Sequence, residues 1–228
     1  MKEASNPQIH SIFIPGPAGR LEALRNAGSP DATHAALVCH PHPLFGGTMH
    51  NRVVFHAMKA LNSSGFPVLR FNFRGAGRSE GTHDEGRAEQ EDIHSALDWL
   101  EHEYHLPVIF AGVSFGASTG LRACCPDPRV VALIGIAIPV VAAGRIYRYR
   151  FLEKCAKPKL FVSGSNDEFA PREELEAVVS RAAEPKRLVF IEGANHLFDG
   201  HVVEVRKAIE EWVRTVVGSA RSKITHPL

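Results

Sequence analysis

The sequence predicts an α/β fold in which a mostly parallel sheet of about eight strands carries helices on both faces. Short apolar runs, such as residues 35–39, alternate along most of the chain with longer amphipathic segments, such as residues 87–103. Continuous apolar runs are typical of strands covered on both faces, and strand–helix alternation is typical of a parallel sheet. With 228 residues and a hydrophobic share of 44%, the chain is the size of one domain. We predict that this domain spans residues 8–217, with flexible tails at residues 1–7 and 218–228.

The first predicted element is an antiparallel β-hairpin. Alternating apolar residues in 9–14 and 21–25 flank a turn rich in proline and glycine at residues 15–19. The further strands are predicted at residues 35–39, 67–73, 107–112, 130–138, 159–162 and 187–191. The helices are predicted at residues 52–63, 87–103, 117–124, 172–181 and 202–217, the second with Ile93, Leu97 and Leu100 on one apolar stripe.

The composition argues against several classes of partner. The net charge is +1 with neutral histidines, which does not indicate a nucleic-acid surface. The basic stretch at residues 145–150 is interpreted as an exposed helix face. No apolar run approaches the ~18 residues that a membrane span needs, and the polar start of the chain lacks the apolar region of a signal peptide. We therefore expect a soluble protein without a nucleic-acid or membrane partner.

The four cysteines do not have the spacing of a metal site. Cys39 and Cys124 lie in apolar context and are predicted to be buried thiols, while Cys125 and Cys155 complete the set. This cysteine usage, without a signal peptide, predicts a cytoplasmic location in which thiols stay reduced. A buried disulfide is the open alternative.

A candidate nucleophile stands in the motif Gly112-Val113-Ser114-Phe115-Gly116, between a predicted strand and a predicted helix. The pattern G-x-S-x-G in this setting is typical of a tight turn that lifts the serine hydroxyl above the end of a sheet. Glycines are needed on either side because a side chain there would collide with the neighbouring strand and helix. Ser114 is therefore the predicted nucleophile.

A candidate acid and a candidate base follow in the chain, each just beyond a later predicted strand. Asp167 ends the segment Gly164–Asp167 and His196 ends the segment Gly193–His196. The carboxyl ends of parallel strands meet at one edge of a sheet, so both side chains are expected to converge on Ser114. Glu168 and His201 are the alternatives, less favoured because of their places in the loop and in the following helix. The predicted chemistry is nucleophilic catalysis by Ser114, with His196 as base and Asp167 orienting it.

An oxyanion hole is expected from two backbone N–H groups. One belongs to Phe115, which follows the nucleophile. The second is expected from the loop at residues 40–48, where the prolines have no N–H to offer, which leaves His42 or Leu44. His42 is favoured by its register in the loop, and Leu44 remains open.

Other side chains are candidates for the walls of the site. His40, Tyr147 and Phe198 lie in loops expected to surround the serine, and Arg74 lies in a glycine-rich loop predicted to pass near it. That loop lacks the spacing of a phosphate-binding loop, so Arg74 is also expected to pair with a carboxylate or to brace the loop. A metal site at His40, His42 and His50 is a weak alternative, since no cysteine or carboxylate lies nearby to complete it.

Together these segments resemble the compact, lidless bacterial α/β-hydrolases, a superfamily that includes the dienelactone hydrolases. The resemblance covers residues 9–217 and rests on residues 40–49, 71–79, 112–116, 164–167 and 193–196. It implies hydrolysis of the serine esterase type, without a cofactor or metal, on a small-molecule ester. Dienelactone hydrolases carry a cysteine nucleophile where this chain has Ser114, so that particular activity is not expected.

The short connection at residues 140–156 leaves no room for the lid that many lipases insert after the sixth strand. We therefore predict an open site and a preference for short, water-soluble esters. A peptidase or acyltransferase with the same three residues, or a non-catalytic binding protein on the same fold, is the alternative.

Overall fold

A computed structural model describes residues 9–142 and 144–224. In that part of the chain there are ten strands: β1 Ile9–Gly16, β2 Gly19–Asn26, β3 Ala35–Cys39, β4 Val68–Phe71, β5 Val108–Val113, β6 Val130–Ile136, β7 Val141–Ala142, β8 Arg145–Ile146, β9 Lys159–Gly164 and β10 Lys186–Ile191. The same residues form five α-helices: α1 Arg52–Asn62, α2 Glu89–Tyr104, α3 Phe115–Cys124, α4 Arg172–Arg181 and α5 Val202–Ile224. None of the described helices is both long and apolar enough to cross a membrane.

Eight of the strands form one sheet in the order β1-β2-β4-β3-β5-β6-β9-β10. The hairpin of β1 and β2 is antiparallel, and β2 pairs antiparallel with β4. From β4 to β10 every neighbouring pair is parallel. The structure thus confirms the predicted fold class, and it brings the carboxyl ends of β3, β5, β9 and β10 to one edge.

The sheet is covered on both faces because successive strand residues point to opposite sides. In β3, Leu37 and Cys39 join a core that includes Leu97 of α2, whereas Ala36 and Val38 join a core that includes Ile209 of α5. Helices α2, α3 and α4 contribute to the first core, and α1 and α5 to the second. All five residues of β3 are fully buried, which explains why the strand is continuously apolar.

The structure differs from the predicted elements in two places. The connection from β6 to β9 holds the two-stranded ribbon of β7 and β8 and a 3₁₀-helix at Arg150–Lys154. The basic stretch at residues 145–150 is therefore mostly strand and loop rather than a helix face, since Gly144 at φ 74° turns the chain back. Helix α5 continues to Ile224, so residues 218–224 belong to it rather than to the predicted tail. The predicted tail at residues 1–7, and residues 225–228, lie outside the described residues.

The cysteines divide into two groups. Cys39 and Cys124 are free and fully buried, as predicted, and burial raises the pKa of both thiols. Cys125 and Cys155 are joined as a disulfide, with their Cα atoms 6.0 Å apart. This bond ties the end of α3 to the connection before β9. It corresponds to the alternative that the sequence left open.

Candidate active site

The nucleophile turn joins β5 to α3 and holds Ser114 in an unusual backbone conformation. Its φ and ψ are 51° and −113°, a region that residues with a side chain rarely adopt. A Cβ atom at Gly112 would lie 2.7 Å from the backbone nitrogen of Ala117, and one at Gly116 would lie 2.8 Å from the carbonyl carbon of Cys39. Both glycines are therefore required by close backbone packing, as the motif predicts.

The structure brings the side chains of Ser114, His196 and Asp167 together. Ser114 and His196 are 82 residues apart in sequence, yet the serine Oγ lies 2.9 Å from Nε2 of the imidazole. The Nδ1 atom of the same ring lies 2.9 Å from both carboxylate oxygens of Asp167. A ring in this arrangement donates its Nδ1 proton to the carboxylate, which leaves Nε2 free to accept the proton of the hydroxyl.

The carboxylate of Asp167 is held on several sides. Its side chain is fully buried, and it accepts a hydrogen bond from the backbone N–H of Phe169 at 2.9 Å. The hydroxyl of Ser163 lies 3.4 Å from its second oxygen. The ring of Phe169 packs edge-on against the imidazole of His196, with 4.7 Å between the ring centroids. Glu168, the alternative acid, is exposed and does not contact the imidazole.

The loop after β3 passes directly beside the nucleophile turn. Gly116 packs against the backbone of Cys39 and His40, and the ring of His42 lies 4.8 Å from that of Phe115. The N–H of Leu44 donates to Nδ1 of His42 at 3.3 Å. Within residues 9–142 and 144–224, the N–H groups of His42 and Phe115 donate to no protein acceptor. These two N–H groups are thus available to a ligand, whereas that of Leu44 is occupied.

His40 lies beneath the site rather than in its wall, which corrects its predicted role in substrate binding. Its Nδ1 donates to the carbonyl of Pro41 at 2.6 Å, and its Nε2 accepts the N–H of Phe73 at 3.0 Å. Burial lowers the pKa of the imidazole to about 4. With both nitrogens engaged, His40 cannot serve as a metal ligand, and the described residues contain no group of three or more metal-ligating side chains.

Arg74 and Phe198 are also buried away from the cavity, unlike the prediction that they contact substrate. The guanidinium of Arg74 forms hydrogen bonds to Asp92 at 2.7–3.1 Å, and its side chain is only 8% exposed. Arg74 thus pairs with a carboxylate, which is one of the alternatives predicted for it, and this pairing braces its loop. Phe198 is fully buried in the core that contains α1 and α5. The buried carboxylate of Asp92 thus determines the direction of Arg74, and packing in the core determines that of Phe198.

A cavity of about 1120 Å³ opens above Ser114 and His196. Tyr147 lines it, as predicted, together with His42, Phe115 and Phe169. Other lining residues were not predicted from the sequence, and these include His83, Arg122, Arg145 and Arg148. The high arginine content of residues 145–150 was the one available signal for the last two.

His83 forms a second histidine–carboxylate pair in this cavity. Its side chain is 8% exposed, and its Nδ1 lies 2.8 Å from Oε1 of the fully buried Glu89. The angle of this contact is not that of a hydrogen bond. Neither ring nitrogen of His83 has a hydrogen-bond partner among the described residues. Glu89 instead accepts the backbone N–H groups of Asp84 and Gly86. It thereby fixes the loop that places the His83 ring 4.7 Å from the ring of His42.

The fold and this site define the class of protein. A family model described as the alpha/beta hydrolase domain matches residues 34–222, so the chain belongs to that family, and the resemblance predicted from the sequence is confirmed.

Particular relatives agree with this assignment. An uncharacterized protein of Rickettsia prowazekii is 35% identical over 213 residues, covering 90% of this chain and 89% of that protein. The structure of an alpha-beta serine hydrolase homologue from Coxiella burnetii is 37% identical with a TM-score of 0.81, covering 89% of this chain and 96% of that chain. A serine hydrolase without a lid from Xanthomonas campestris is 32% identical with a TM-score of 0.81, covering 91% and 94%. The chain is thus similar to serine hydrolases that lack a lid.

Proposed function

We propose that the chain is a serine hydrolase that cleaves carboxylic esters through an acyl-enzyme on Ser114. The observation that carries the proposal is the continuous contact from Ser114 to His196 to Asp167, with each step at 2.9 Å. An unassisted serine hydroxyl is a weak nucleophile at neutral pH, and an imidazole within hydrogen-bond reach removes this obstacle. The carboxylate of Asp167 holds the ring in the required tautomer and stabilises its transient charge.

In the proposed reaction, Oγ of Ser114 attacks the ester carbonyl carbon while its proton passes to Nε2 of His196. The bond from that carbon to the leaving oxygen then breaks, and His196 gives the proton to the departing alcohol. Water enters, His196 takes one of its protons, and the hydroxide attacks the acyl-enzyme. The carboxylic acid leaves as His196 returns the proton to Ser114.

The negative charge on the carbonyl oxygen is proposed to be bound by the N–H groups of Phe115 and His42. Both N–H groups belong to loops that meet at Gly116, and neither donates to another acceptor in the described residues. Leu44 is the weaker candidate because its N–H donates to the imidazole of His42. A preorganised donor of this kind is worth about 3 kcal/mol of transition-state stabilisation.

Short, water-soluble esters are the proposed substrates. Among the described residues, the small ribbon of β7 and β8 and one 3₁₀-helix are the elements between β6 and β9. A connection of this length offers little apolar surface for a long acyl chain. The cavity is therefore expected to accept short esters in preference to those with a long acyl chain.

A fluorophosphonate probe and a series of p-nitrophenyl esters, from acetate to dodecanoate, test this proposal. We expect the wild-type protein to be labelled and to turn over the shorter esters best, and Ser114→Ala to do neither. Ser118→Ala is the matched control, since Ser118 lies one helical turn further along α3, and it is expected to retain labelling. Absence of labelling in the wild type would favour a non-catalytic binding protein, and best turnover of dodecanoate would exclude the short-chain preference.

A further inference from the structure

Three arginine side chains line the same cavity as Ser114: Arg122, Arg145 and Arg148. Arg122 belongs to α3, Arg145 to β8, and Arg148 follows β8 in the chain. Arg122 and Arg148 are neighbours, because Nη2 of Arg122 donates to the backbone carbonyl of Arg148 at 3.4 Å, and Arg145 lies three residues before Arg148 in the chain. We call these three residues the arginine wall.

The arginine wall has no protein counterion among the described residues. None of the three guanidinium groups pairs with a carboxylate, whereas Arg74 and Arg129 each pair with a buried aspartate. Two of them stack on aromatic rings instead: Arg122 lies 4.8 Å from the Phe151 ring centroid, and Arg145 lies 5.2 Å from that of Tyr147. Stacking orients a guanidinium but leaves the N–H groups at its edge free for an acceptor.

The charges around the cavity favour a ligand with a single negative charge. Two carboxylates, Glu85 and Glu168, also line the cavity, and neither forms an ion pair with the arginine wall in the described residues. Three guanidinium groups and two carboxylates leave one uncompensated positive charge when the histidines are neutral. A carboxylate matches this balance better than a phosphate dianion, and its two oxygens fit the fork of a guanidinium.

The position of Arg122 on α3 indicates how far the arginine wall lies from Ser114. Ser118 and Arg122 follow Ser114 at intervals of one helical turn, and all three line the cavity. With a rise of 1.5 Å per residue, Arg122 is about 12 Å from Ser114 along the axis of α3. The long arginine side chain shortens this span from the far end. The cavity therefore has room for an acyl chain between the reacting carbonyl and the anion.

We propose that the arginine wall binds a carboxylate on the acyl part of the substrate, so that the enzyme prefers half-esters of dicarboxylic acids. This proposal rests on the proposed ester hydrolysis at Ser114. The neutral ester end lies at Ser114 between Phe115 and His42, and the free carboxylate lies against the guanidinium groups. Such substrates are water-soluble and need no lid, which agrees with the short connection between β6 and β9.

The test compares mono-p-nitrophenyl esters of dicarboxylic acids with neutral p-nitrophenyl esters of the same chain length. We expect kcat/KM to be at least tenfold higher for the anionic ester at one chain length in the series, and this ratio to fall as salt is raised. In Arg122→Gln/Arg145→Gln/Arg148→Gln the ratio is expected to fall to about one. Arg145→Glu is expected to lower the ratio further than Arg145→Gln does. Arg150→Gln is the matched control, because Arg150 is an exposed arginine of the same segment outside the cavity.

Equal kcat/KM for anionic and neutral esters in the wild type, with fluorophosphonate labelling intact, would contradict carboxylate binding by the arginine wall. The proposed hydrolysis at Ser114 would not be affected. Loss of labelling and of all ester turnover would overturn the hydrolysis. In that case the titration of Ser114→Ala with monomethyl adipate, a monoanionic half-ester, followed by calorimetry, still tests the wall. Binding that disappears in the triple arginine variant supports it, and absence of binding contradicts it.

Discussion

Both carboxylate oxygens of Asp167 lie 2.9 Å from Nδ1 of His196, and the same carboxylate accepts the N–H of Phe169. The aspartate is thus anchored to its own loop while it orients the ring. This double role distinguishes Asp167 from Glu168, whose side chain is exposed. It also explains why the ring of His196 has a defined direction toward Ser114.

Asp167→Asn is expected to lower kcat about 10⁴-fold, because an amide favours the wrong tautomer of the imidazole. The residue keeps an acceptor oxygen for the N–H of Phe169, so the melting temperature is expected to change little. Steady-state kinetics with p-nitrophenyl acetate and thermal melts check both parts. Glu168→Gln is the matched variant and is expected to lower kcat less than tenfold. If the two variants lost equal activity, Asp167 would not be the orienting carboxylate.

His40→Gln is expected to lose less unfolding free energy than the wild type as the pH falls. Because burial lowers the folded-state pKa of His40 from 6.5 to about 4, the unfolded chain binds a proton below pH 6.5 that the folded chain refuses until about pH 4. The contribution of neutral His40 to the free energy of unfolding is therefore fully present above pH 6.5. It is lost as the pH falls, and the loss reaches about 3 kcal/mol at pH 4. Glutamine does not titrate and can accept the N–H of Phe73.

Urea unfolding of the wild type and of His40→Gln between pH 7 and pH 4 measures this effect. The other histidines are common to both proteins, so the difference between their unfolding free energies isolates His40. That difference is expected to shift by about 3 kcal/mol in favour of the variant over this range. Parallel curves would show that His40 is not held neutral by the fold.

The edge of the sheet that carries Ser114, Asp167 and His196 could be predicted because it depends only on the strands being parallel. Apolar runs locate the strands, and the residues after them must share an edge when the strands are parallel. The directions of His40, Arg74 and Phe198 could not be predicted in this way. The side chains of His40 and Arg74 turn toward hydrogen-bond partners, and two of these, Phe73 for His40 and Asp92 for Arg74, lie 33 and 18 residues away in the sequence.

His83 and the arginine wall line the cavity, although the sequence did not predict them there. His83 enters the cavity because Glu89 holds the backbone of its loop, a relationship that no hydrophobic period reveals. Residues 145–150 contain three arginines, a composition compatible with an exposed helix. The turn at Gly144 gives a ribbon instead, and the ribbon and the residues that follow it place Arg145 and Arg148 at the cavity.

Arg74→Met is expected to destabilise the protein by about 3–5 kcal/mol, because it leaves the carboxylate of Asp92 buried without its partner. Burial already raises the pKa of Asp92, against the opposing hydrogen bonds of Arg74. The double variant Arg74→Met/Asp92→Leu removes both charges and is expected to be more stable than Arg74→Met alone. Urea unfolding of the wild type, the two single variants and the double variant gives the coupling free energy between Arg74 and Asp92. Additive losses would show that the pair does not act as a unit.

Gly116→Ala is expected to impair both folding and activity. A Cβ atom there would lie 2.8 Å from the carbonyl carbon and oxygen of Cys39, and these are backbone atoms that cannot rotate away. The strand and the helix must separate, at a cost of about 1–3 kcal/mol. The same movement shifts the N–H of His42 away from that of Phe115, so kcat is expected to fall further than the stability loss alone explains.

Gly200→Ala is the control for this variant, since Gly200 has a positive φ of 77° but open space around a Cβ atom. It is expected to cost about 1–2 kcal/mol through backbone strain alone, with kcat nearly unchanged. Thermal melts and kinetics on p-nitrophenyl acetate separate the two cases. If Gly116→Ala kept the kcat of the wild type, the close packing of β3 against the nucleophile turn would not be needed to position the N–H groups of His42 and Phe115. That result would mean that the turn and the loop after β3 can separate without disturbing the two N–H groups.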